Sequence, residues 1–131
     1  MVSKPVPGGY LGTSWDDAPI VRFNNRSGGN GSDVLIEYVS EAGGVRRTLL
    51  TFSDVYRFDW IDEYIDDYVG DDFGFALIEI LDSSVVRDLV STGRRRDWLE
   101  KVELRHYRIG FDDHGTYDVV CLGLTVEVAE L

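Results

Sequence analysis

Apolar and polar positions alternate along most of this chain with a period of two, and in two places with a period near 3.6. The first helical stretch is Asp59 to Asp72, reading D-W-I-D-E-Y-I-D-D-Y-V-G-D-D. Trp60, Ile61, Tyr64, Ile65, Tyr68 and Val69 recur there in pairs one turn apart, with acids between them. The spacing predicts an amphipathic helix of about three turns, with Asp59 as N-cap and Gly70 as terminator. The second is Ser83 to Thr92, where Asp82 or Ser83 can cap a short helix carrying Val85, Val86, Leu89 and Val90 as its apolar stripe.

The remaining pattern predicts strands. Residues 19–24, 34–40 and 45–52 are short runs of strand formers separated by the Gly-rich connection 25–33 and the turn Glu41-Ala42-Gly43-Gly44. Phe73 to Leu81 is apolar at both alternating positions, as in a strand covered on both sides. Val102 to Val128 is a hairpin turned by Asp112-Asp113-His114-Gly115, with Tyr107, Ile109 and Phe111 on one face and His106 and Arg108 on the other. In its return strand Tyr117, Val119 and Cys121 follow one parity and Leu122, Leu124, Val126 and Val128 the other. A bulge at Gly123, or burial on both faces, reconciles the two. Pro5, Pro7 and Gly8-Gly9 predict an irregular arm over residues 1–17, pinned by Tyr10 and Trp15. The expected fold is α+β: one domain over 18–131, a curved, mainly antiparallel sheet of about six strands with two short helices.

Composition adds charge to this picture. The chain has 131 residues, 44% hydrophobic, with a net charge of -11. Residues 54–72 hold eight acids against one base, Arg57. Asp62 with Asp66, and Glu63 with Asp67, are like-charge i,i+4 pairs, each costing about 0.2–0.5 kcal/mol in an isolated helix. The acids form either a solvated face or a docking face for a basic partner. Such a field repels nucleic acid and anionic membranes, so neither is an expected partner. Cys121 is alone and sits in an apolar run, no apolar run reaches the length of a membrane span, and the N-terminus lacks a signal-peptide pattern; a cytoplasmic protein is expected.

Candidate chemistry is sparse. His106 and His114 lie eight residues apart on one strand and cannot meet within it. Neither has an evident partner. Asp112, Asp113, His114 and Asp118 could gather a divalent metal at the hairpin tip, but their spacing matches no cation loop, and no metal or other cofactor is expected. Glu79 sits among apolar residues and, if buried, needs Arg22, Arg47 or Arg108. The three-glycine cluster at 28–31 lacks the spacing of a phosphate loop, and the motifs of nucleophilic and metal-dependent hydrolases are missing, so no catalysis is expected.

The stretch E-L-R-H-Y-R-I-G-F-D-D-H-G-T-Y-D-V-V-C-L-G-L-T-V-E, residues 103–127, resembles the closing hairpin of small bacterial immunity proteins of polymorphic toxin systems. The resemblance implies a small single domain that neutralises a toxin by binding it. It brings no catalytic residues. The residues support such a role independently: a toxin attacking nucleic acid needs a basic cleft, which an acidic helix could occupy with electrostatic steering. The expected partner-binding set is Asp59, Asp62, Glu63, Asp66, Asp67, Asp71 and Asp72, with Trp60 and Tyr64 as aromatic anchors. The alternatives are a small-molecule-binding partial barrel with an apolar pocket lined by Phe75, Tyr107 and Tyr117, and a structural subunit of an assembly.

Overall fold

In a computed structural model the described residues are 3–10, 18–25, 31–41, 44–62, 76–92, 96–99, 101–111 and 114–130. They form seven strands, β1 (Ser3–Tyr10), β2 (Ile20–Asn25), β3 (Ser32–Glu41), β4 (Val45–Ile61), β5 (Ala76–Ile80), β6 (Arg105–Phe111) and β7 (Gly115–Glu130). A two-turn helix, α1 (Ser84–Thr92), and a single helical turn, α2 (Arg96–Leu99), lie between β5 and β6. All seven strands join one sheet in the order β1-β5-β6-β7-β4-β3-β2, each pair antiparallel. The expected antiparallel sheet is present, with one strand more than the pattern suggested.

The extra strand is β1. Pro5 and Pro7 argued against it, but β1 is at the edge of the sheet, where a residue without an N–H loses nothing on its outer side. Its register runs Ser3↔Ile80, Lys4↔Glu79 and Pro5↔Ile78, then shifts to reach Tyr10↔Ala76. The irregular arm expected over 1–17 is therefore corrected for residues 3–10.

The larger correction concerns Asp59–Ile61. These residues do not open a helix; they are the last three of β4, paired as Asp59↔Asp118, Trp60↔Tyr117 and Ile61↔Thr116. The long strand β7 offers partners that far, and Trp60 is locked there: its indole N–H donates to the His114 carbonyl at 3.1 Å. Gly115 provides the seat. A Cβ at this glycine would lie 2.4 Å from the Ile61 carbonyl oxygen and 2.5 Å from Trp60 Nε1, and its φ of +88° is itself one that other residues rarely adopt. The rest of the expected helix, 63–72, lies outside the described residues.

The sheet curls. Strands β6 and β3 are three steps apart, which in a flat sheet is about 14 Å. Yet the Phe111 and Tyr38 rings, one on each, have centroids 5.3 Å apart. The inner face of this curl holds the main core, with Ile36, Leu50, Phe52, Leu77, Ile109 and Val119 at its centre. On the outer face α1 lays Val85, Val86, Leu89 and Val90 against Leu99, Leu104 and Val120, as its stripe predicts.

Strands β4 and β7 serve both cores by changing parity midway. On β7, Cys121 faces inward, Leu122 outward and Leu124 inward again. The swap falls where Gly123 faces Ser53, beside Asp54, whose φ of 55° is left-handed. The register of this pair shifts further along, on β4 between Val55 and Arg57. Of the two expected explanations, burial on both faces holds, since Val119, Val120 and Cys121 are buried in succession, whereas the register runs unbroken through Gly123 and no bulge lies there.

Candidate functional site

Two groups of side chains stand out, one on each face. On the inner face a row of aromatic rings climbs from the core to the surface: Tyr38 to Phe111 at 5.3 Å, Phe111 to Tyr117 at 5.9 Å, Tyr117 to Phe58 at 5.8 Å and Phe58 to Phe23 at 5.3 Å. Tyr38 is buried, Tyr117 and Phe58 are half-buried, and Phe23, on edge strand β2, is 63% exposed. Trp60, opposite Tyr117 in the ladder, widens the row's open end and is 50% exposed.

The acids expected to join Trp60 are only partly placed. Strand geometry puts successive side chains on opposite faces, so Asp59 points outward while Trp60 points inward. Asp59 is also engaged, its carboxylate accepting from Arg57 Nε at 2.7 Å. Asp62 is exposed at the bend that follows β4. Glu63, Tyr64, Asp66, Asp67, Asp71 and Asp72 lie outside the described residues. The structure thus sets Trp60 opposite Tyr117, whose ring meets Phe58, a grouping that the helical reading did not contain.

On the outer face, beneath α1, is a buried polar relay. Ser83 Oγ is 2.7 Å from His106 Nδ1, His106 Nε2 is 2.6 Å from Asp118 Oδ1, and Arg108 Nε donates to the same oxygen at 2.9 Å. Ser83, His106 and Asp118 are each at most 8% exposed. The fold places them in three steps. Ile80↔His106 in the β5–β6 ladder brings the end of β5, and so Ser83 just beyond it, to His106. Arg108↔Asp118 in the β6–β7 ladder sets Asp118 diagonal to His106. Ser83 then caps α1, its Oγ accepting the Val86 N–H at 3.1 Å.

Burial alone would raise the Asp118 pKa, but the hydrogen bonds from His106 and Arg108 and the Arg108 charge outweigh it and hold the carboxyl below its ordinary value. Asp118 is therefore ionised and accepts only. In the neutral imidazole whose Nε2–H donates to Asp118, Nδ1 is bare and accepts the Ser83 O–H. The facing pair Asp59↔Asp118 would repel, and each acid carries its own arginine. His106, expected to lack an evident partner, has two.

The other expected residues fall elsewhere. Glu79 is 8% exposed, and its partners are Lys4 at 3.7 Å and Arg105 at 3.4 Å, not Arg22, Arg47 or Arg108. Arg22 and Arg47 flank Glu37 instead, at 2.9 and 3.3 Å. Asp118 is committed to the relay, and among the described residues no group of His, Cys, Asp and Glu could hold a metal ion. Trp98 is half exposed, its indole N–H donating to the Tyr56 hydroxyl at 2.7 Å, while Leu99 beside it is buried. Tyr107 and Tyr117 both face inward, and Phe75 lies outside the described residues. Among the described residues no helix is long and apolar enough to cross a membrane.

Compared with protein-family models, curated proteins and solved structures, the chain matches none.

Proposed function

We propose that the chain is a protein-binding inhibitor of the immunity type, which docks a basic partner at the open end of the inner face. The observation that carries this reading is a pair of exposed aromatics, Phe23 against the half-buried Phe58 and Trp60 opposite the half-buried Tyr117, with Phe58 and Tyr117 in contact. Large aromatics exposed over a rigid base are what protein interfaces use as anchors. Asp62 is exposed one residue beyond β4, where the most acidic stretch of the sequence begins, and such charge favours a basic partner. Acids of one sign beside an aromatic patch favour rapid association with a cationic surface such as a nuclease cleft. The resemblance of residues 103–127 to immunity proteins points the same way.

The test is capture from the native host by the wild-type chain beside a Phe23→Ala/Trp60→Ala variant and an Asp62→Asn/Asp66→Asn/Asp67→Asn variant, each of verified fold. One stoichiometric basic protein held by the wild type, released by salt and weakened in both variants, is the expected result. Equal capture by all three chains would place the interface elsewhere. Co-expression with the captured protein then distinguishes inhibition from mere association.

A further inference from the structure

The relay on the outer face contains more than an anchor for α1 requires. An N-cap needs only an oxygen that accepts from the third helical residue, and Ser83 already does this through Val86. The added feature is a base, His106, aligned on the Ser83 hydroxyl and held in the required tautomer by an ionised carboxylate on its far nitrogen. Hydroxyl, imidazole and carboxylate in consecutive hydrogen bonds form the arrangement that activates a serine for covalent chemistry. Here the two ring nitrogens exchange their usual partners, which leaves the proton path unchanged.

The position of Ser83 suits that chemistry. It lies on the turn from β5 into α1, between Asp82 and Ser84, both exposed, and is itself 8% exposed. The Ser84 and Val85 N–H groups at the start of α1 have no acceptor within the helix, those of Val86 and Arg87 being taken by Ser83 Oγ and the Ser83 carbonyl. They supply the positive end of the helix dipole where an oxyanion would develop.

We infer that Ser83 is an acyl-accepting nucleophile toward small activated carboxylic esters, with His106 as its general base and Asp118, steadied by Arg108, as the group that orients the base. Ser83 Oγ attacks the ester carbonyl carbon while its proton passes to His106 Nδ1. The tetrahedral intermediate collapses by breaking the bond to the leaving alkoxide, which takes that proton, and an ester of Ser83 remains. Water then adds to this ester through His106, releasing the carboxylic acid and restoring the serine. This activity departs from the sequence expectation of no catalysis, and it does not rest on the docking reading.

The experiment uses the full chain, a small fluorophosphonate probe and p-nitrophenyl acetate, with intact-mass measurement and peptide mapping. The expected result is one probe per chain on Ser83, lost in guanidinium chloride and in Ser83→Ala, and slowed about a hundredfold or more in His106→Gln. Asp118→Asn, which leaves the ring but reverses its hydrogen-bonding demand, should slow labelling while Ser83 remains the modified residue. A folded wild-type chain that gains no adduct at Ser83, or gains it only elsewhere, overturns the assignment whatever the variants do. Acetyl transfer from p-nitrophenyl acetate to Ser83, followed by its hydrolysis, separates turnover from a single acylation event, and failure to acetylate Ser83 also overturns it.

Discussion

The two faces of this sheet are held together by different physics. The inner face is apolar and aromatic, with Ile36, Leu50, Phe52, Leu77 and Ile109 fully buried. The outer face beneath α1 has a smaller apolar cluster and depends also on a line of hydrogen bonds from Ser83 to Arg108, charge-assisted where they meet Asp118. Hydrophobic contact is tolerant of direction, whereas a buried polar relay is satisfied in only one arrangement. The inner face therefore supplies most of the stability, and the outer face fixes where α1 and its capping serine sit.

Truncations on the two faces should show this contrast. The largest loss is expected from Phe52→Ala, about 3–5 kcal/mol by urea denaturation, because the site is enclosed by strands that cannot close over the void. Asp118→Ala should cost about 3 kcal/mol, since His106 would then keep a buried donor without an acceptor and Arg108 would lose its bond to the carboxylate. The same residue sets an acid limit. Its folded pKa is depressed, so its contribution is complete above the unfolded value and is lost as pH falls through the folded one. Acid titration of stability should accordingly be shallower in Asp118→Asn.

Smaller effects refine the comparison. Gly115→Ala should cost about 1–3 kcal/mol through its left-handed backbone and the clash with Trp60 and the Ile61 carbonyl, and should blue-shift or broaden tryptophan fluorescence. Ser83→Ala removes a cap and one relay bond, about 1–2 kcal/mol, and hydrogen exchange should rise in α1 before it rises in the inner strands. Cys121 gives a readout with almost no energetic cost. Burial pushes its thiol up to about 12, so a thiol reagent at pH 8 should modify it only as the inner face opens.

The legibility of the sequence followed the same division. The inner face was readable because it follows a period of two: Tyr107, Ile109 and Phe111, then Tyr117, Val119 and Cys121, lie on the side their alternation assigns. The stripe of α1 and its cap at Ser83 were readable for the same kind of reason. Residues 59–61 misled because apolar residues in adjacent pairs fit the end of a strand exposed on both sides as well as a helix; Trp60 and Ile61 simply point opposite ways. β1 was hidden by prolines that an edge tolerates. The relay was within reach, since a turn at 112–115 pairs Arg108 with Asp118 and leaves His106 on the diagonal. Ser83 was not, because its approach depends on the non-local register Ile80↔His106.

The parity change at Gly123 has a genetic consequence. Strand β7 is effectively two messages in different frames, the first turning its odd positions to the interior and the second its even ones, joined at a single glycine. Losing or gaining one codon there would restore an unbroken alternation and transpose inside and outside for every residue on one side of the join. Substitution can adjust either half of the strand separately, but a change of length at this point rewrites both.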